Sequence, residues 1–236
     1  MGYACIAREG LWSSFHNQAL LAFNQSLRVS AGYENRFGLR ELGTTTAGLT
    51  IPAGKASAAA AVSHFGFSGF RRDAVVAACG LMLGKALAAG VQADYFSEKA
   101  DGGYGYTRYL TFEAGALIIP SENVRIGLHI FNPLPNSLRK NDLPMVISAG
   151  AGIKLNSSLF AGAEAEMSSG LKPLVRTGFE YEAVKRLWLR AGYSTENNSF
   201  SFGTGFRFGT VTGDLGFVSH ETLGFTSSVS FTCSFR

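Results

Sequence analysis

Charge is what this sequence has least of. Only 16% of its 236 residues are Asp, Glu, Lys or Arg, against roughly a quarter in an average chain. Cysteine is scarce too. Cys5, Cys79 and Cys233 are odd in number and far apart, which gives neither a metal-ligand spacing nor an evident disulfide framework and leaves them as small apolar residues. Proline stops at six residues and tryptophan at two. Disorder is excluded, because disordered chains are rich in charge and poor in aromatics, whereas 19 residues here are Phe. The 29 glycines show no three-residue period, which excludes a collagen-like rod. At about 1 kcal/mol each inside a helix, they also argue against a helical globule. The length admits one all-β domain or two small ones.

The net charge of +4 is spread along the chain, and the densest basic group is Arg71-Arg72. With no basic patch or stripe, nucleic acid is not an expected partner. The first residues, Met1-Gly2-Tyr3-Ala4-Cys5, lack the basic and apolar regions of a secretory signal, and Gly2 stands where a lipobox would put Leu. This fits a trimmed form and carries no weight on location.

An uninterrupted apolar run of membrane-helix length is missing as well. The nearest approach, residues 74–91, is split by Gly84-Lys85, short of the roughly 20 apolar residues a spanning helix needs. After the split the pattern alternates strictly: Leu87, Ala89, Val91, Ala93 and Tyr95 share one face, and Ala88, Gly90, Gln92 and Asp94 the other. The same period of two recurs in segment after segment. Val124, Ile126, Leu128 and Ile130 alternate with Arg125, Gly127, His129 and Phe131, and Val175, Thr177, Phe179 and Tyr181 alternate with Arg176, Gly178, Glu180 and Glu182. Period two marks strands with one apolar face.

Fourteen strands are expected, over 25–34, 43–52, 55–65, 73–83, 86–96, 106–119, 123–132, 144–155, 158–168, 172–182, 186–194, 198–208, 210–219 and 224–235. Most runs are about ten residues, the length a transmembrane strand requires, where soluble strands average about five or six. The polar face carries glycine and charges of both signs, as a lumen would. The apolar face often carries small Ala, a poor filler for a soluble core. These features select an all-β, 14-stranded antiparallel transmembrane β-barrel over residues 25–236. Tight turns (Gly84-Lys85, Asn156-Ser157, Val184-Lys185) alternate with longer segments (Ser97–Gly105, Pro133–Leu143), matching short periplasmic turns and longer outer loops. Residues 1–24 form a separate N-terminal segment. Within it, residues 11–22 read as a short helix from the spacing of Trp12, Phe15, Ala19 and Ala22. The segment is expected to plug the barrel through Trp12, Phe15, Asn17, Leu20 and Leu21; lying on the periplasmic rim is the alternative.

The run Met1-Gly2-Tyr3-Ala4, then Trp12-Ser13-Ser14-Phe15-His16-Asn17-Gln18-Ala19-Leu20-Leu21-Ala22, resembles the start of PorV/PorQ-type proteins of Bacteroidota, within the FadL-like outer-membrane superfamily. Tyr33-Glu34-Asn35-Arg36-Phe37, His64-Phe65-Gly66-Phe67-Ser68, Leu83-Gly84-Lys85, His129-Ile130-Phe131-Asn132-Pro133 and Arg190-Ala191-Gly192-Tyr193-Ser194 are similar to that family too. Leu20 departs from it, standing where the family often has Gly. The resemblance implies a 14-stranded barrel with an N-terminal plug. For the PorV-like branch it implies service beside secretion or surface-assembly machinery, including the type IX secretion system. For the wider superfamily it implies passive uptake of small hydrophobic compounds.

No chemistry of the enzymatic kind is expected. Ser63-His64 and Ser219-His220 are neighbours on strands and point to opposite faces, so neither is a compact nucleophile–base pair. No phosphate loop opens a helix and no metal pair is spaced on one, so neither cofactor nor metal is expected. By alternation Arg28, Arg125, Lys154, Arg176, Arg190 and Arg207 point inward. So do Glu34, Asp94, Glu113, Glu164, Glu166, Glu180, Glu182 and Asp214. Opposite charges in a low-dielectric interior pair, because unpaired buried charge is costly; His129 beside Arg125 is assigned a structural hydrogen bond. A filled, salt-bridged lumen is therefore expected ahead of a polar diffusion route.

Two functions follow. The first is a docking or accessory subunit of a larger outer-membrane complex, for which Phe200, Phe202, Phe206, Phe208, Phe225, Phe231 and Phe235 supply a contact face unless they form an ordinary lipid belt. The second is transport of a small hydrophobic ligand through the barrel, with membrane lipid around it. A plain structural barrel is the third reading. Lys172-Pro173 is either a wall opening or a strand start.

Overall fold

Period-two patterning becomes strand wherever it was found. The computed structural model describes residues 1–236 apart from 3, 11, 102–104, 135–142 and 236. Among the described residues the strands are β1 Leu27–Asn35, β2 Gly43–Ala53, β3 Ala56–Phe67, β4 Phe70–Met82, β5 Leu87–Ala100, β6 Gly105–Ser121 and β7 Val124–Phe131. They continue with β8 Val146–Lys154, β9 Leu159–Ser168, β10 Leu174–Val184, β11 Leu187–Ser194, β12 Ser199–Phe208, β13 Val211–His220 and β14 Gly224–Phe235. Each pairs antiparallel with its sequence neighbours, and β1 pairs with β14 from Leu27↔Phe235 to Asn35↔Ser227, closing the barrel.

Two adjacent cross-strand rows decide what surrounds it. Val62, Val75, Tyr95 and Leu110 face one another along β3–β6 and are all exposed. In the next row Asp94 and Thr111, directly paired, are 1% and 2% exposed. A soluble sandwich would bury the first row and expose the second. The inversion is that of a barrel with lipid outside and a polar interior. No helix among the described residues is long and apolar enough to cross a membrane; the strands make the crossing.

The start of β1, the end of β14 and the tight connections at 54–55, 83–86, 122–123, 155–158, 185–186 and 209–210 lie at one end. Short turns are periplasmic in bacterial barrels, so the opposite end faces outward. Two expectations about that outer end change. Ser97–Ala100 is strand, with residues 102–104 outside the described ones: the ladder continues through Lys99↔Tyr106 and Ala100↔Gly105, held by a Ser97 Oγ to Tyr106 hydroxyl bond of 2.9 Å and by the Tyr109 hydroxyl donating to Glu98 at 2.6 Å. Most of Pro133–Leu143 lies outside the described residues, though Asn132 ties its two ends, donating to the Leu143 carbonyl at 2.7 Å. Pro173 immediately precedes β10, so Lys172-Pro173 is a strand start.

The helix expected over 11–22 is also corrected. It is two 3-10 turns, Trp12–Phe15 and Gln18–Phe23, broken at Asn17 in extended conformation. The cause is a competing set of side-chain hydrogen bonds. The Asn17 amide donates to the carbonyls of Ile6 at 2.9 Å and Ala116 at 3.2 Å, and its oxygen accepts from the Ala19 N–H at 3.1 Å.

This segment lies inside the barrel against a belt of glycines. Met1 and Gly2 cross Gly178 and Gly192; Ile6 lies over Gly127 and Gly150; Asn17 over Gly115; and Gln18 over Gly80 and Gly90. Those glycines belong to β4, β5, β6, β7, β8, β10 and β11, and in each case an added Cβ would overlap the segment. Glycine is required here for close backbone approach rather than for any special dihedral angle. Leu20 packs with Ile6, Ala88 and Leu117, and Leu21 with Phe15, Ala59 and Ala78.

Candidate functional site

The lumen holds most of the paired charge among the described residues, and alternation places it. Arg176 on β10 bridges Glu166 at 2.7 Å and Glu164 at 3.3 Å on β9, with Glu196 at 3.7 Å. Arg190 on β11 joins Glu180 on β10 to Asp214 on β13. Glu113 on β6 meets His129 Nε2 at 2.9 Å and accepts from the Gln18 amide at 2.7 Å. Arg125 pairs with Glu9, and Arg8 with Glu180. The N-terminal segment is thus tied to the wall by charge as well as by close approach, and its Ile6 N–H donates to Glu164 at 3.1 Å.

Of the nine residues assigned to the charge network, Arg125, Glu164, Glu166, Arg176, Glu180 and Arg190 are brought into ion pairs, and Glu113 into hydrogen bonds with His129 and Gln18. Arg28 and Lys154 are not, among the described residues: Arg28 donates to Ser26 Oγ at 3.2 Å, and Lys154 lies exposed in the periplasmic mouth. Sequence reasoning missed Arg8, Glu9 and Gln18, whose segment has no period to assign their direction. It also missed the belt, for which the signal was present: Gly80↔Gly90↔Gly115, Gly127↔Gly150 and Gly178↔Gly192 are direct cross-strand partners.

Space remains on the side the segment does not cover. A cavity of about 410 Å³ opens toward the periplasmic end, lined by Arg8, Arg28, Trp188, Arg207, Thr212 and Thr232 among others. A second, of about 330 Å³, lies toward the outer end against Gly32, Thr46, Ser201, Gly203, Gly216 and Ser228. Trp12, Arg190, Asp214 and Ser230 line both, so these side chains form the partition between them. The remaining assigned plug residues, Phe15, Asn17, Leu20 and Leu21, lie toward the filled side.

The seven assigned phenylalanines all face outward from β12 and β14, with exposures from 41% at Phe206 to 83% at Phe208. The Phe206 ring covers Gly213 on the neighbouring strand, and Phe231 pairs with the same glycine from the other side.

Solved structures share this architecture. The Ralstonia pickettii toluene transporter TbuX superposes with a TM-score of 0.74 at 11% identity, covering 95% of this chain and 94% of that one. A Pseudomonas aeruginosa FadL homologue gives 0.71 at 13% identity, over 100% and 96%. The Pseudomonas putida toluene transporter TodX gives 0.71 at 10% identity, over 97% and 95%. The chain is a bacterial outer-membrane β-barrel. At these identities the likeness is one of fold, and it is to FadL-type barrels. No protein-family model matches the chain, and no curated protein does. Two of these neighbours, TbuX and TodX, are toluene transporters by their names.

Proposed function

We propose that this barrel is a passive outer-membrane transporter of small hydrophobic compounds. The observation that carries the reading is the divided lumen. The N-terminal segment covers the middle of the β4–β11 side, where a cavity of about 290 Å³ remains at the periplasmic mouth, and leaves two cavities in series along the other, each of a few hundred Å³, a volume suited to a small ligand. Likeness in fold to two toluene transporters supports the class of cargo. In this reading the compound enters the outer cavity and Trp12 controls passage to the inner one.

The test is uptake of a small aromatic hydrocarbon into asymmetric vesicles with a lipopolysaccharide outer leaflet. Barrel-containing vesicles should fill faster than barrel-free ones, and Trp12→Ala should change the rate. Equal rates with and without the barrel would remove transport of this class.

The PorV-like docking reading is favoured by a different observation, the outward phenylalanines of β12 and β14, which flank β13. It predicts a stoichiometric large outer-membrane protein after mild-detergent purification from native membranes. Loss of that protein on Phe202→Ser plus Phe231→Ser would support it, and a barrel purifying alone would argue against it.

A further inference from the structure

The outward face of β3–β6 changes character abruptly near its outer end. The last wholly apolar row is Val62, Val75, Tyr95 and Leu110. The next outward row toward the outer rim is His64, Asp73, Ser97 and Arg108, and the one beyond is Gly66, Arg71, Lys99 and Tyr106. Apolar rows lie at the level of lipid tails, so these two polar rows lie at the level of the outer-leaflet headgroups.

Arg71 and Lys99 are direct cross-strand partners, and like charges placed opposite each other destabilise a sheet. Local acids relieve this only in part. Asp73 is hydrogen-bonded to His64 at 2.6 Å and stands 3.7 Å from the Arg71 Nε; Asp101 stands 3.5 Å from the Lys99 Nζ. Arg71 and Lys99 have no hydrogen-bonded acceptor among the described residues. Arg108, its guanidinium 4.4 Å from the centre of the Tyr106 ring, adds a third cation on the same face. A pocket of about 310 Å³ opens outward here, lined by His64, Phe67, Ser68, Arg71 and Lys99.

We infer that this pocket binds the phosphate of a phosphorylated lipid headgroup in the outer leaflet. Arginine grips phosphate with a planar fork and lysine as a point charge. A phosphate between them turns a repulsive pair into two attractive contacts, while the apolar row below meets the lipid body. The outward direction of the pocket, above tail-level residues and not in the lumen, selects a lipid over a free anion.

The experiment uses the full-length barrel refolded in zwitterionic detergent, with bisphosphorylated lipid A as probe and retained lipid counted by native mass spectrometry. Arg71→Gln plus Lys99→Gln should weaken retention about tenfold or more, as expected for loss of a charge-assisted hydrogen bond. Lipid A stripped of phosphate should bind the unaltered barrel as weakly, and Arg71→Lys should retain binding. A second readout separates this from misfolding. In phosphate-free lipid, Arg71→Gln should raise the urea midpoint by removing repulsion, and with lipid A it should lower it. Equal retention by the double variant, equal binding of phosphate-free lipid A, or full displacement by inorganic phosphate at matched concentration would each overturn the proposal.

Discussion

The two sides of this lumen use the same residue for opposite ends. On the β4–β11 side, glycines at matched heights on neighbouring strands face the backbone of the N-terminal segment, which fills the space they leave. On the β12–β13 side, Gly205 faces the Arg190 and Asp214 side chains and Gly216 faces Ser228 Oγ, and cavities remain. Lumen-facing glycine therefore does not by itself make a barrel open or closed. It removes bulk from the wall, and what lies opposite decides whether the result is a seat or a passage. Charge divides in the same way. Arg176 on the filled side has three carboxylates within 4 Å, whereas Arg28 on the open side makes no ion pair among the described residues and feels Glu9 only from farther away.

That contrast can be broken in order of size. Arg176→Met strands the buried Glu164 carboxylate and should cost about 3–5 kcal/mol in urea unfolding from lipid vesicles, while Arg28→Met should cost far less. Similar losses for the two would show that the sides are not energetically distinct. Next, Gly90→Ala drives a methyl into the Gln18 backbone and should cost roughly 1–3 kcal/mol by overpacking. Gly216→Ala meets only the end of the Ser228 side chain and should shift the midpoint by less. If bilayer conductance then rises for Gly90→Ala alone, the segment is what seals that side. Asn17→Ala removes two donated bonds and the cap on Ala19, for about 0.5–2 kcal/mol.

The smallest effect concerns reactivity. Burial, with Glu164 adding to it, pushes the Cys5 thiol up to about 12. Only the thiolate alkylates, so with Cys79 and Cys233 replaced by Ser the folded barrel should label slowly and with no step near pH 8.5, where a free thiol ionises. Unseating the segment with Gly90→Ala should restore that step. A normal step in the unaltered barrel would mean that Cys5 is not held in its half-buried seat inside the lumen.

Much of this was legible because strand direction is a local property. Parity alone directs Glu113, Glu164, Arg176, Glu180 and Arg190 inward; the last four are found in ion pairs there and Glu113 in hydrogen bonds. Parity says nothing about residues 1–24. The three-to-four spacing of Trp12, Phe15, Ala19 and Ala22 matches a helix, yet Asn17 is drawn to the Ile6 and Ala116 carbonyls, and Ala116 is 99 residues away in sequence. The cavities escape sequence reading for the same reason: they are what remains after a non-local fit. Ser97–Ala100 misled in the opposite way, because polar residues that look like a loop continue a ladder above the level of the lipid tails.

The seat of the N-terminal segment also constrains the order of assembly. The Gly2 N–H donates to Ser201 on β12, 199 residues later, and Ile6 rests on strands β7 and β8. Contacts so distant along the chain form late and slowly. The first residues of the sequence have no complete seat until most of the strands that follow have paired. A transiently hollow barrel, with its glycine belt bare, therefore precedes the filled one, and filling the interior is expected to be a slow phase separate from strand pairing.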